Sequence, residues 1–245
     1  MDSESVTAGG VALTIVIPAY NEEARLGRSL DTLIAHLQAR AESWEILVVD
    51  DGSTDGTARV AGSRAAVRVV RLPSNRGKGA AVRAGLAESA GERVLFSDAD
   101  LSTPPEELAK LTEALDKGAD LAMGSRGLPG SDIVVRQAWY REHMGKTFNL
   151  ILRAITGIPF RDTQCGFKLM RGEVARVLAG ELREDGFAFD VELVLRANRN
   201  GFVVREIPVV WKNVEGSRVD PLSDSVRMLM ALPRITGEVG RYRAD

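Results

Sequence analysis

The chain has 245 residues, 32 basic against 34 acidic, with a formal net charge of −2, two histidines and one cysteine. That length suits one large α/β domain, the balanced charge excludes a general nucleic-acid binder, and the lone Cys165 excludes an internal disulfide and a cysteine-built zinc site. No apolar run reaches the roughly 18 residues of a membrane span, and the polar stretch Met1–Gly10 is unlike a signal peptide, so a cytoplasmic protein, soluble or peripheral to a membrane face, is expected.

Apolar runs alternate with helical periodicity, which predicts an α/β fold with a mostly parallel sheet flanked by helices. Leu13–Pro18 reads as the first strand. A helix follows from Glu22, with Leu26, Leu30, Leu33, Ile34 and Leu37 at helical spacing. Trp44–Val49 is the second strand, ending on the tight turn Asp50–Gly56 before a helix at Thr57. Val67–Arg71 is a third, shorter strand, and Lys78–Ser89 a helix of small residues able to lie close on the sheet.

Arg93–Ser97 is the fourth strand, and it stops on Asp98 and Asp100. Ligands of open α/β sheets sit beyond the carboxyl ends of the strands, which puts both carboxylates at the mouth of a cleft. In extended backbone, residues i and i+2 point the same way, and two oxygen ligands on one side suit a hard cation such as Mg²⁺ or Mn²⁺. The competing reading is a helix cap, because Ser102–Glu107 looks like a helix start.

Glu106–Lys117 reads as helix and Asp120–Met123 as a strand ending at Gly124-Ser125-Arg126. Beyond the loop Gly127–Ser131 a long helix is expected from about Val134 to Ile155, then strand or extended loop over Arg161–Met170. Phe187–Arg199 reads as helix, and Phe202–Trp211 as a strand pair broken at Pro208. With no repeat or linker, one domain is expected. Residues 1–12 form a flexible N-terminus, 13–126 a nucleotide-binding half, 127–220 an acceptor-binding half, and 221–245 an amphipathic segment. In that segment Val226, Met228, Leu229, Met230, Leu232 and Ile235 are interspersed with Arg227, Arg234, Arg241 and Arg243. It can lie at a membrane interface or pack on the sheet, with Pro233 and Gly237 keeping the helix short.

Four early motifs, Ile17-Pro18-Ala19-Tyr20-Asn21-Glu22-Glu23, Val48-Val49-Asp50-Asp51-Gly52-Ser53, Asn75-Arg76-Gly77-Lys78-Gly79 and Asp98-Ala99-Asp100, resemble the inverting family 2 glycosyltransferases of GT-A fold. Four later ones, Gly124-Ser125-Arg126, Asp162-Thr163-Gln164-Cys165-Gly166-Phe167-Lys168, Phe189-Asp190-Val191-Glu192-Leu193 and Trp211 with Glu215-Gly216-Ser217-Arg218, are similar to the dolichyl-phosphate β-glucosyltransferases within that family. The resemblance runs from about Thr14 to Arg218.

The resemblance implies transfer of glucose from UDP-glucose to a polyprenyl phosphate at a membrane surface. Pro18, Ala19, Tyr20, Glu22, Val49, Asp51, Lys78, Asp98 and Ala99 would bind the nucleotide sugar, and Arg218 would sit in a loop closing over the diphosphate. Mg²⁺ or Mn²⁺ would be held by Asp98 and Asp100, and Asp100, Arg126 and Asp190 would form the catalytic set. Arginine suits forked recognition of phosphate oxygens, so Arg126, Arg136 and Arg141 are expected at the acceptor phosphate, surface solvation being the alternative for one of the latter two. Asp162 and Gln164 would bond sugar hydroxyls. Asp190 is either the position of the acid that other family 2 enzymes use as base or a helix-start carboxylate, and Trp211 is expected in the core. The runners-up are a GDP-mannose-dependent mannosyltransferase, transfer to a soluble acceptor with Asp190 as base, and a catalytically silent nucleotide-sugar binder. Against the first, Ser102 stands where mannosyl enzymes commonly have Gln. Neither His36 nor His143 is read as a ligand, and association into a homo-oligomer is left open.

Overall fold

The computed structural model describes residues 10–135, 139–212 and 221–243. Four strands, β1 (Leu13–Ala19), β2 (Trp44–Asp50), β3 (Val67–Arg71) and β4 (Arg93–Ser97), lie parallel in the order β3-β2-β1-β4. They are connected by helices α1 (Glu23–Gln38), α2 (Thr57–Gly62) and α3 (Lys78–Glu88). The order reverses between β1 and β4, where a doubly wound sheet opens its ligand crevice. Here the opening is visible in the register. β1 pairs with β2 through Ala19, but with β4 only over Leu13–Val16, so its last three residues have no partner on the β4 side. Pro18 sits among those three, at a place where a missing N–H costs no ladder bond toward β4.

The connection after β4 is a 3-10 turn (Pro105–Glu107) and α4 (Leu108–Asp116), followed by β5 (Leu121–Ser125). Two elements depart from expectation in the next stretch. The long helix expected from Val134 instead begins at Trp139 as α5 (Trp139–Thr156), and is preceded by β6 (Asp132–Val135). β6 forms a small separate sheet with the distant β9 (Val210–Lys212), so the β-branched run Ile133-Val134-Val135 takes a strand partner that local periodicity does not reveal.

β7 (Phe167–Arg171) runs antiparallel between β4 and β5, giving a seven-stranded sheet in the order β3-β2-β1-β4-β7-β5-β8, with β8 at Val204–Pro208. The sheet is therefore mostly parallel, and the break expected at Pro208 falls between β8 and β9. Because β7 is reversed, its first residue lies beside the last residue of β4, Phe167 opposite Ser97. The preceding segment thus reaches the crevice, where the Asp98 N–H donates to the Gly166 carbonyl at 2.9 Å.

Directly after β7 comes α6 (Gly172–Glu181), which the sequence reading left unassigned, then α7 (Phe189–Arg199) and α8 (Pro221–Val239). One apolar cluster packs α1, α2 and α4 against one face of the sheet, and a second packs α3 and α5 to α8 against the other. The small residues of α3 let it approach closely: a Cβ on Gly85 would stand 2.2 Å from Val16 Cγ1. Leu232, Ile235 and Val239 of α8 belong to the second cluster, so that helix is packed rather than peripheral along its buried face. Pro233 lies exposed inside α8 and does not end it. At the other terminus, Val11 and Ala12, expected in the flexible stretch, already bond to Glu92, Arg93 and Ser43.

Candidate active site

A cleft of ≈ 740 Å³ opens at the carboxyl ends of β1 and β4. Pro18, Ala19 and Tyr20 from the end of β1, Glu22 before α1, and Asp51 after β2 form one side. Lys78 at the start of α3 and Asp98, Ala99 and Asp100 after β4 form another. Nine residues assigned from sequence to the donor and metal thus face one cavity. Val49 is not among them: it is fully buried inside β2 and packs in the core.

The carboxylates are organised in different ways. Asp51 is almost fully buried and accepts bonds from Asn75 Nδ2 (3.0 Å) and from the N–H groups of Arg76 (2.9 Å) and Gly77 (2.8 Å), which shapes the loop leading into α3. Burial nevertheless raises its carboxyl above the usual range against these bonds. Glu22 is paired with Arg25, whose Nη2 lies 2.6 Å from Glu22 Oε1 and whose Nη1 lies 3.8 Å from Asp100.

Asp98 and Asp100 stand in a turn after β4 rather than on extended backbone, with Leu101 N–H bonded to the Asp98 carbonyl at 3.2 Å and Leu101 at φ +50°. The expectation that alternation along a strand aligns them is therefore corrected: the turn brings both to the cleft. Asp98 Oδ1 contacts Lys78 Nζ at 2.6 Å, and Asp100 Oδ1 accepts from the Ser102 N–H at 2.9 Å. Asp100 thus caps a local turn, not the helix α4.

The donor set fits a divalent cation of a particular kind. Among the described residues, five carboxylates (Glu22, Asp51, Asp98, Asp100, Asp224) and three cations (Arg25, Lys78, Arg227) line the cleft. Among the described residues no group of three or more His, Cys, Asp or Glu side chains is arranged to hold a metal by itself. Two carboxylates at the mouth match Mg²⁺ or Mn²⁺, which takes remaining ligands from water and bound phosphates.

The residues expected at the acceptor lie behind Asp98, on the loop that meets it at Gly166 and on the elements packed against that loop. Arg126, just after β5, donates from Nε (2.7 Å) and Nη2 (2.8 Å) to the buried Asp162 carboxylate, and its backbone N–H also donates to Asp162 (3.0 Å). Its guanidinium lies over the Trp211 ring at 5.6 Å, so the half-buried Trp211 supports this arginine rather than the core. Burial alone would raise the Asp162 carboxyl, but the Arg126 charge and bonds outweigh it and hold it below the usual range. The Gln164 N–H donates to Asp162 at 3.1 Å, so Asp162 serves as the hub of this loop. Asp190 stands in the first turn of α7, 2% exposed, with Lys168 Nζ at 2.5 Å, and that ammonium also donates to the Cys165 carbonyl at 2.7 Å. Arg126, Asp162, Gln164 and Asp190 do not line the cleft. Arg136 and Arg218 lie outside the described residues, as does the side chain of Arg141 in α5.

The sequence does not assign Arg25, Asn75, Gly77, Ala81, Phe187, Asp224 or Arg227 to the cleft that they line. Arg25 had a signal, three residues after Glu22 on a helix. Asp224 and Arg227 had none that pointed to the cleft, because only the packing of α8 brings them there.

A family model described as Glycosyl transferase family 2 matches residues 14–178. Dolichyl-phosphate beta-glucosyltransferase of Homo sapiens is 36% identical over 234 residues, 88% of this chain and 72% of that protein. The protein of that name from Dictyostelium discoideum is 33% identical over 241 residues, 92% of this chain and 74% of its own. Among solved structures, glucosyl-3-phosphoglycerate synthase from Mycobacterium tuberculosis in complex with Mn²⁺, uridine diphosphate and glucosyl-3-phosphoglycerate is similar with a TM-score of 0.69 at 22% identity, over 95% of this chain and 81% of that one. At that identity the likeness speaks to the fold.

Proposed function

The chain belongs to glycosyl transferase family 2, and from that premise we propose that it transfers glucose from UDP-glucose to a polyprenyl phosphate of dolichyl type, with inversion at the anomeric carbon. The relatives named above are called dolichyl-phosphate beta-glucosyltransferases, and the neighbouring structure was solved with Mn²⁺ and a uridine nucleotide.

The observation that carries the choice of acceptor is the state of Asp190. A general base must reach the proton it removes, and geometry comes before pKa. Asp190 is buried with its carboxylate held by Lys168, so it would have to give up that ammonium to take a proton from a sugar or glycerol hydroxyl. Four of the carboxylates that do face the cleft are closely engaged as well, Glu22 by Arg25, Asp51 by the loop 75–77, Asp98 by Lys78 and Asp100 by Ser102, while Asp224 lies 3.8 Å from Arg227. A phosphate acceptor arrives already anionic and needs no base. It needs placement for in-line attack, for which cations suffice.

On the donor side, Pro18, Ala19 and Tyr20 end β1 against the nucleotide, and Asp51 keeps the loop before α3 in the shape that receives it. Asp98 and Asp100 would hold Mg²⁺ or Mn²⁺, whose Lewis acidity would neutralise the leaving diphosphate. Lys78, raised in pKa because Asp98 and Asp190 outweigh its burial, stays charged beside Asp98 and adds to that positive field. Among the described residues no helix is long and apolar enough to cross a membrane. On α8, Val226 and Met230 are 49% and 75% exposed one turn apart, beside the cleft residue Arg227, and suit contact with the acyl boundary.

A panel of nucleotide sugars with a short polyprenyl phosphate, read as radiolabelled lipid, tests the proposal. UDP-glucose should label the lipid. Polar groups matched to uracil are left unpaired by guanine at about 1–3 kcal/mol each, so GDP-mannose should be used far less well. Preferred use of GDP-mannose, or label appearing only in a water-soluble product, would overturn it.

A further inference from the structure

The C-terminal helix α8 lies beyond the part of the chain that the family model matches, residues 14–178, yet it contributes Asp224 and Arg227 to the cleft. Leu232, Ile235 and Val239 anchor the helix in the core, Arg234 is ion-paired with Glu184 in the loop before α7, and Arg199 Nη1 donates to the Glu238 carbonyl at 3.0 Å. That same loop touches the donor side of the cleft, because the Ala80 N–H of α3 donates to the Asp185 carbonyl at 3.2 Å. The far half of α8 is thus tied to the core and to the loop that α3 contacts, and its first turns carry Asp224 and Arg227 to the cleft.

The three cations of the cleft are unequally committed. Arg25 is engaged by Glu22, and Lys78 touches Asp98 at 2.6 Å. Arg227 lies 3.8 Å from Asp224, beyond hydrogen-bond distance, with 79% of its side chain exposed. It is an arginine, whose planar fork matches phosphate oxygens, at the rim of a cavity whose lining is otherwise rich in carboxylates. An anionic ligand entering there needs such a counter-charge, and Arg227 can turn to it without breaking a close ion pair.

We propose that Arg227 binds a phosphoryl group held in the cleft, so that α8 completes the phosphate site from outside the matched family region. The proposal rests on the cleft being the donor site, as argued above. The phosphoryl group can belong to the donor diphosphate or to the lipid phosphate, and the two are separable.

Wild-type protein and the variants Arg227→Ala and Arg227→Lys would be titrated with UDP and with uridine in the presence of Mn²⁺, and their KM for a short polyprenyl phosphate measured. With a donor contact, Arg227→Ala weakens UDP about tenfold, as expected for losing a charge-assisted bond at a partly exposed site, while uridine binding is unchanged and Arg227→Lys recovers part of the loss. With an acceptor contact, UDP affinity is kept and the KM for the polyprenyl phosphate rises by a similar factor. Thermal unfolding should not move, given the exposure of the side chain. Equal UDP affinity and equal KM in wild type and Arg227→Ala would overturn the proposal alone. Failure of the wild-type protein to bind UDP would overturn the donor reading of the cleft, and this proposal with it.

Discussion

Replacing Gly166 by alanine should disable the cleft while leaving the protein folded. A Cβ built on Gly166 stands 2.0 Å from Asp98 Oδ2 and 2.4 Å from Oδ1. Non-bonded heavy atoms settle near 3.5 Å, so the carboxylate must retreat by roughly 1 Å or more. Asp98 cannot retreat with its backbone, because its N–H is bonded to the Gly166 carbonyl at 2.9 Å. The side chain must rotate instead, which breaks the 2.6 Å contact with Lys78 and moves one of the two proposed metal ligands. With 33% of the Asp98 side chain exposed there is room for that rotation, and the cost in stability should stay within about 1 kcal/mol. The functional cost is larger, since a displacement of about 1 Å in a positioned group lowers rate by about 10²-fold. Thermal unfolding, calorimetric titration of UDP with Mn²⁺, and transfer to a short polyprenyl phosphate would be measured on the same preparation. A variant that melts with the wild type, binds UDP with Mn²⁺ normally and transfers at the wild-type rate would refute the placing of Asp98 under Gly166 as a working part of the site.

Asp100→Ala should abolish transfer and metal-dependent UDP binding with the fold intact; turnover surviving in the variant, or undiminished wild-type activity in EDTA, would remove the metal assignment. Asp162→Asn should destabilise by about 3 kcal/mol, the lower end for breaking a buried pair because Arg126 keeps 31% of its side chain exposed, and so lower Tm by about 6–12 °C. The pH dependence has a definite sign. The Asp162 carboxyl is held below its ordinary value of 3.8, so its stabilisation is present above that pH and is lost as pH falls through the depressed folded value. Acid unfolding followed by circular dichroism should therefore lose a component in Asp162→Asn that the wild type has below pH 3.8, and identical acid limbs would contradict the pairing. Met230→Asp should reduce sedimentation with liposomes while UDP binding is kept, because the side chain is 75% exposed; unchanged sedimentation would put the membrane contact elsewhere.

Periodicity along the sequence determined the first half of the fold. Strands β1 to β5 and the helices between them are each a local pattern, alternation or a 3.6-residue repeat, that a short window of sequence expresses in full, and α/β alternation leaves few ways to order them. Their carboxyl ends carry Pro18, Glu22, Asp51, Asp98 and Asp100, so this side of the cleft was legible as soon as the strands were.

The tertiary structure decided what depends on partners far away in the chain. Ile133–Val135 became strand because Val210–Lys212 lies beside it, and β7 turned antiparallel because it fills the gap between β4 and β5. Asp162 reads in sequence as a residue to bond sugar hydroxyls and Asp190 as a base or a helix-start carboxylate, but the fold sets Arg126 against one and Lys168 against the other, two cations that no spacing pairs with them. Arg227 entered the cleft only because Leu232, Ile235 and Val239 bury the far end of its helix. Periodicity reports the backbone of a segment and which of its faces is apolar. It carries no information about which distant surface covers that face, and it is that choice, made by packing and charge pairing over the whole chain, that paired Arg126 with Asp162 and Lys168 with Asp190 and brought α8 to the cleft.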